Sequence, residues 1–256
     1  MRLSEKRIAL TQFHKTVGNP ILRTTDITFW VKLLERCMGS IDTKLLIAQS
    51  FIELVEQEGL QKVSVSNIVE RSQRNRKTFY YHFSDRSKLI QWIFRYGMAE
   101  ELKKRVSEDE LVYPRNDAGD LARLPYYTFI KEGVRSINAD AFFEALDACF
   151  RSKKKYYAEV LSETSIDSLS EYLFQLYVPA LRNDIEFILS NRFLNEANQQ
   201  FLAEFYTGAF ITYFKRRICG KLADDERALS DMGPFSNIIH SSIASEINAQ
   251  QRERML

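Results

Sequence analysis

The stretch Ser72–Leu89, SQRNRKTFYYHFSDRSKL, constrains the fold more than any other part of the sequence. It crowds Arg74, Arg76, Lys77, Arg86 and Lys88 around Phe79, Tyr80, Tyr81 and Phe83, with Asp85 the only acid among them. Phe79 and Phe83 stand four apart, a spacing that puts both on one face of a helix. That helix has an apolar side to bury and a cationic side left over. Such a local excess of cations points to a polyanionic partner, whereas the whole-chain net charge of +2 is too small to do so.

What precedes the stretch separates a solvated basic helix from a reading head. Asp42–Gln57 places Leu45, Ala48, Ile52 and Val55 at helical spacing, widened by Leu46, Phe51 and Leu54, and so predicts an amphipathic first helix. Glu58-Gly59 stops it, because glycine takes the left-handed conformation that closes helices. Ser64 then caps a short second helix, with Ile68 and Val69 turned inward. Ser72–Arg74 is the expected turn, Asn75 the cap of a third helix over Arg76–His82, and Ser84 or Asp85 the cap of a fourth from Arg86 to about Val106.

Helix, short helix, turn, short cationic helix and long helix is the order of a helix-turn-helix head, whose second motif helix enters the major groove of DNA. The groove is about 12 Å wide and admits one helix, provided apolar residues anchor its rear face. Phe79 and Phe83 are the expected anchors. Arg76, Lys77, Thr78, Tyr81 and His82 remain on the outer side, and Tyr80 has a hydroxyl that reaches toward a phosphate.

On these residues the chain resembles the DNA-binding domain of the TetR family of bacterial transcriptional regulators, from roughly Thr43 to Met98. The likeness runs through VSVSNIVERS, TFYYHF and SDRSKLI, with no insertion between the first and fourth helices. TFYYHF followed by Gln91-Trp92-Ile93-Phe94 is similar to the subgroup that includes regulators of dihydroxyacetone kinase operons. The resemblance implies an all-α homodimer whose N-terminal heads bind a palindromic operator, followed by a helical-bundle domain for ligand sensing and dimerisation. By position it implies that Lys77, Thr78 and Tyr81 read bases while Ser66, Tyr80 and Arg86 grip phosphates. Ser64, Asn75, Arg76, His82 and Lys88 complete the expected DNA-facing set; for His82 the plainer role is capping or packing.

Two positions depart from the family pattern. Gln73 and Arg74 occupy the turn, where the family commonly has glycine and a small apolar residue. Glutamine in a left-handed turn carries strain of about 1–2 kcal/mol, unless the turn is built differently. Arg74 cannot plug a core and is expected to face solvent or the DNA backbone.

The chain divides by pattern into an extension (1–41), the head (42–106), a loop (107–125) and a helical regulatory and dimerisation half (126–256). The extension carries Arg2, Lys6, Arg7, Lys15 and Arg23 with few acids. It reads either as a disordered stretch ahead of a later start at Met38, as a basic arm on DNA, or as a packing segment with Ile27, Trp30, Leu34 and Cys37 on one face. The loop holds Tyr113-Pro114-Arg115-Asn116-Asp117-Ala118-Gly119-Asp120, a cluster of helix breakers. Beyond it the expectation is helix throughout (Tyr126–Asn138, Ala139–Phe150, Lys153–Glu163, Ile166–Ser190, Glu196–Gly220 and Pro234–Ala249), with no strand run and no repeat.

Phe201, Phe205, Gly208, Ala209, Thr212 and Tyr213 form a stripe on the Glu196–Gly220 helix, and the small residues permit close backbone approach. Together with Ile238 on the last helix they are the expected dimer interface; burial within the monomer accounts for the same stripe. Phe142, Phe143, Phe150, Tyr156, Tyr157, Tyr172, Phe174 and Tyr177 line either an effector pocket or a plain core. Lys153-Lys154-Lys155 is either an attraction for an anionic effector or a solvated helix start.

Other classes find little support. His14, His82 and His240 are the only histidines, and the sequence lacks HExxH, a glycine-rich phosphate loop, GxSxG and a metal-ligand cluster, so no enzyme, no cofactor and no metal is expected. Cys37, Cys149 and Cys219 are far apart and odd in number, which suits reduced thiols in a cytoplasmic protein. No apolar run approaches the roughly 20 residues of a membrane span, and the N-terminus has no secretory h-region. The expectation is a DNA-binding repressor that occludes a promoter under control of a small-molecule effector. The alternative is an activator or coactivator whose C-terminal half answers to a protein partner.

Overall fold

The computed structural model describes residues 24–115, 119–190, 194–220 and 233–253, without the side chains of 24–39, 233–240, 243 and 253. Of the expected N-terminal extension, residues 1–23 lie outside the described residues. The chain forms two compact units, 1–46 and 47–256.

Helix α1 spans Thr24–Glu58, well upstream of the start expected at Asp42. The Ile27, Trp30, Leu34, Cys37 periodicity continues the helical pattern through Gly39 and Ser40, whose weak propensity does not end it. From Ile47 on, α1 buries Ile47, Ala48, Phe51, Ile52, Leu54 and Val55, as the apolar spacing predicts. It stops at Gly59, where φ is 83°, and a 3-10 turn follows over Leu60–Lys62. Helices α2 (Val65–Arg71), α3 (Arg76–His82) and α4 (Arg86–Lys103) come next. Helix α4 buries side chains on nearly every side (Leu89, Trp92, Ile93, Phe94, Arg95, Met98, Leu102), as befits a helix enclosed by both the head and the C-terminal half.

Tyr126–Asn138 is not helical. Strands β1 (Leu111–Val112) and β2 (Tyr127–Thr128) pair antiparallel, and β3 (Ile130–Gly133) pairs with β4 (Ser136–Asn138) as a hairpin with a register shift between Lys131 and Gly133. The physical reason is legible afterwards. Tyr-Tyr-Thr-Phe-Ile is an aromatic and β-branched run that fits a pleated surface, and Gly133 next to Val134-Arg135 supplies the reversal. The expected loop therefore contributes a strand, together with 3-10 turns at Glu108–Glu110 and Gly119–Arg123.

Helices α5 (Asp140–Ser152), α6 (Lys154–Ser162), α7 (Leu169–Leu189), α8 (Glu196–Cys219) and α9 (Gly233–Glu253) fall within a few residues of expectation. The most extensive pairing is α7 with α8, and α6 also packs on α8. The expected aromatics at Phe142, Phe143, Phe150, Tyr156, Tyr157 and Tyr177 are all buried and contact one another, for example Phe142 with Tyr177 at 5.1 Å and Phe150 with Tyr157 at 5.1 Å between centroids. Arg95 is wholly buried. Its Nη2 donates to the carbonyls of Leu121 (3.0 Å) and Leu124 (2.8 Å) and its Nη1 to the Tyr172 hydroxyl (3.2 Å), so α4 is tied to the 3-10 turn and to α7. Among the described residues no helix is long and apolar enough to cross a membrane, and no His/Cys/Asp/Glu group is arranged to hold a metal ion.

Candidate nucleic-acid interface

Each short helix of the head is set by its cap. Ser64 Oγ accepts from the Asn67 N–H at 3.3 Å while Asn67 Oδ1 accepts from the Ser64 N–H at 2.9 Å, a reciprocal capping box at the start of α2. Asn75 Oδ1 accepts from the Thr78 N–H at 2.7 Å and from its hydroxyl at 3.0 Å, starting α3. Asp85, not Ser84, caps α4 by accepting from the Lys88 N–H at 2.8 Å. Seven-residue helices have few internal hydrogen bonds, so satisfying the first orphan N–H groups decides where they begin.

The turn between α2 and α3 is closed by backbone bonds, Ser72 N–H to Ile68 O (2.9 Å), Gln73 N–H to Glu70 O (3.1 Å) and Arg74 N–H to Val69 O (3.0 Å). Gln73 does take the left-handed conformation, with φ 51°. Arg74 is exposed, as the sequence led us to expect.

Helix α3 is pinned from behind. Phe79 and Phe83 are buried with rings 6.0 Å apart, and Phe83 meets Trp92 of α4 at 5.8 Å. With those two residues inward, Arg76, Lys77, Tyr80 and Tyr81 face out; Tyr80 is 54 % and Tyr81 73 % exposed. Thr78 and His82 are half-buried, and the His82 ring meets Tyr81 edge-on at 4.9 Å. Arg76 Nη2 donates to Ser66 Oγ at 2.6 Å, which links the outer sides of α2 and α3. Arg71 lies against Glu53 (3.4 Å) and Gln57 (3.3 Å). The Glu53 carboxyl is held below its usual range by the Gln49 amide, with Arg71 adding to the effect against desolvation.

Two residues of the expected DNA-facing set have other engagements. Arg86 is half-buried and its Nη1 donates to the carbonyls of Leu60 (3.1 Å) and Val63, closing the end of the 3-10 turn. Lys88 Nζ donates to Gln91 Oε1 at 3.0 Å on the exposed side of α4. Ser64, Ser66 and Asn75 are exposed, with their side chains already spent in the caps and the Arg76 contact.

On α8, Phe201 is 62 % and Phe205 57 % exposed, with stacked rings 6.0 Å apart. Ala209, Thr212 and Tyr213 are exposed too, and Gly208 is half-buried. The Ile238 side chain lies outside the described residues. Phe201 and Phe205 line an open groove of about 770 Å³ shared with Ser241, Ser245 and Gln250 of α9. Cys149 is buried beside the Tyr157 hydroxyl at 3.5 Å, and burial pushes its thiol up to about 11; Cys219 is exposed.

Sequence reasoning missed three features: buried Arg95, the Tyr127 to Asp184 hydrogen bond, and the acceptance by Glu159 of the Leu60 N–H at 3.1 Å. The last joins residues 99 apart and has no local signal. Arg95 had one, a cation amid the apolar Trp92-Ile93-Phe94 and Met98-Ala99.

Two capped short helices meeting at a tight turn, with the second pinned by aromatics and cationic on its outer side, define a helix-turn-helix DNA-binding regulator. Residues 52–92 match the family model for bacterial regulatory proteins of the tetR family, and residues 138–232 match that for a transcriptional regulator C-terminal region. The chain belongs to the tetR family of bacterial regulatory proteins, and its fold is the family's helix-turn-helix head followed by a helical C-terminal domain. It is similar to the HTH-type dhaKLM operon transcriptional activator DhaS of Lactococcus lactis subsp. lactis (strain IL1403), 36 % identical over 61 residues. That match takes in 24 % of this chain and spans about a third (33 %) of the relative's length. A solved structure, the dihydroxyacetone kinase operon activator DhaS, aligns with a TM-score of 0.40 at 18 % identity over 82 % of this chain and 96 % of that one.

Proposed function

We propose that the protein is a cytoplasmic, homodimeric transcriptional regulator that reads a palindromic operator and is modulated by an effector. The observation that carries this reading is the outer side of α3: Arg76, Lys77, Tyr80 and Tyr81 stand exposed while Phe79 and Phe83 hold the helix from behind. Arg76, Lys77, Thr78 and Tyr81 meet base edges in the major groove, while His82, half-buried beside Tyr81, packs at the end of the same face. Ser64, Ser66, Asn75, Tyr80, Arg86 and Lys88 meet the backbone, with the capping residues contributing through their main chain.

Dimerisation uses the outer side of α8. Two stacked phenylalanines left in solvent are costly for a monomer. Nothing among the described residues requires glycine at 208, where a Cβ would meet only Phe174 Cε2 of them, at an ordinary 3.8 Å. Glycine in a helix interior costs about 1 kcal/mol relative to alanine, and close approach of a second copy offsets that cost.

Repression by promoter occlusion is the mode we assign first. Activation is the second reading, favoured by one finding: the curated relative bears the name of a transcriptional activator. Either mode requires operator binding. The test is retention from a randomised duplex pool at two salt concentrations. A palindromic motif with steep salt dependence supports the reading; retention with no enriched motif refutes sequence-specific binding by the unassisted chain.

A further inference from the structure

We propose that Glu159 is a positioning residue for operator binding, fixing the turn after α1 relative to α8 and thereby setting the half-site spacing that the dimer accepts. The inference rests on the homodimeric reading given above. Tyr156, Glu159 and Glu163 are three and four residues apart, so they share one face of α6 and its C-cap. All three engage the head. The Tyr156 ring meets Phe51 of α1 edge-on at 6.0 Å, both fully buried. Glu159 Oε2 accepts the Leu60 N–H at 3.1 Å, and Glu163 Oε2 accepts from the Gln61 amide.

The Leu60 N–H is the first donor of the 3-10 turn, and Gly59 has no side chain with which to cap it. Glu159 supplies the missing acceptor from 99 residues away, as a charge-assisted bond. The other side of the same residue is held from α4, because Arg86 Nη1 donates to Leu60 O. Leu60 is thus gripped at its N–H by the C-terminal half and at its carbonyl by the head. Tyr157, Val160 and Leu161 of α6 are buried, and α6 packs on α8, the helix whose outer side carries Phe201 and Phe205.

A dimer reads a palindrome only when its two recognition helices lie one DNA turn apart, about 34–36 Å. Tyr156 and Phe51 hold α6 against α1, Glu163 takes the Gln61 amide, and α4 packs on α5, so the two halves already meet at several points. Glu159 adds the bond that fixes the main chain of the turn itself, at the Leu60 N–H. Loss of this bond widens the range of spacings a dimer tolerates without altering the reading surface on α3.

The test uses the full-length chain as wild type, Glu159→Ala and Glu159→Gln, with the palindrome the wild type selects and two versions lengthened or shortened by one base pair at the centre. Wild type is expected to prefer the selected spacing by roughly tenfold or more, and Glu159→Ala to bind all three within about twofold of one another. Its salt slope should match wild type and its melting should stay cooperative, with the midpoint lowered by the loss of one charge-assisted bond, and Glu159→Gln, whose amide oxygen still accepts, should keep the preference. The proposal is overturned if Glu159→Ala discriminates as wild type does, or if discrimination falls only together with melting cooperativity. A wild type that selects no palindrome overturns the dimeric reading, and this proposal with it.

Discussion

Tyr127 donates its phenol hydrogen to Asp184 Oδ2 at 2.7 Å inside the core, joining β2 to α7 across 57 positions of sequence. Asp184 is 1 % exposed, and its Oδ1 has no hydrogen-bond partner among the described residues. Burial pushes its carboxyl up to about 7, while the Tyr127 hydrogen bond pulls it back.

A pH dependence of stability follows. The unfolded chain releases the Asp184 proton near 3.9, but the folded chain holds it to about 7. Between those values the native state binds more protons than the unfolded one, so stability falls as pH rises through that window and levels off above it. The integrated effect is on the order of 4 kcal/mol. Asp147, also raised by burial but paired with Arg217 and Arg151, titrates in the same direction. Urea melts of wild type and Asp184→Asn from pH 5 to 8 isolate the Asp184 share: the difference in their slopes should be negative for wild type, and parallel curves would contradict it.

Arg86→Ala should destabilise the head as well as weaken DNA binding. Removing the donor to Leu60 O and Val63 O forfeits charge-assisted bonds worth about 1.5–3 kcal/mol. Amide exchange at 60–63 should accelerate. If Arg86 touches a phosphate in the complex, the salt slope falls by about 0.9 as well. An unchanged unfolding midpoint would mean the carbonyl contacts contribute nothing.

Gln73→Gly should stabilise the protein slightly. Relief of the left-handed strain is worth about 1–2 kcal/mol, against about 0.5–1 kcal/mol of extra chain entropy. A net gain of at most about 1.5 kcal/mol is expected, measured as a rise in melting temperature. A loss would show that the Gln73 side chain contributes more than its backbone costs.

Lys77→Ala should alter which sequences are recovered from a randomised pool, with discrimination at one base position falling by about 1–3 kcal/mol. A phosphate contact instead lowers affinity for every sequence alike. An unchanged motif at unchanged affinity would misplace the reading side of α3.

Phe205→Ser should shift the chain toward monomer. More than half exposed and stacked on Phe201, it has little burial in the monomer to lose, so the melting temperature of the monomer should fall only slightly while sedimentation detects dissociation at tenfold or more higher concentration. Retention of wild-type assembly would remove α8 from the interface.

How much of this was legible in advance depends on how local the cause is. The caps at Ser64, Asn75 and Asp85 act over three residues, and the starts of α2, α3 and α4 followed from them, as did the full span of α3, whereas α2 runs two residues past the expected Val69. Phe79 and Phe83 declared the buried side of α3 by spacing alone. The strands at 127–138 were misread because aromatic and β-branched residues fit a buried helix as well as a sheet, and only pairing with Leu111–Val112 and the turn at Gly133 decides. Arg86 was assigned to phosphate by position, while the carbonyls that occupy its Nη1 belong to a turn over 20 residues earlier, which no spacing rule connects to it. Glu159 and Asp184 meet partners 99 and 57 positions away and left no trace in the sequence.

Arg95 makes a contrast with Asp184. A guanidinium does not give up its proton at any pH a folded protein survives. The bonds from α4 to the carbonyls of Leu121 and Leu124 therefore persist unaltered across the window in which the Tyr127 to Asp184 bond gains a buried charge. The segment between the head and α5 is thus fastened twice, once by a joint whose charge never changes and once by a joint whose own bond tightens as the carboxylate ionises, while the core around Asp184 bears the cost of holding that charge.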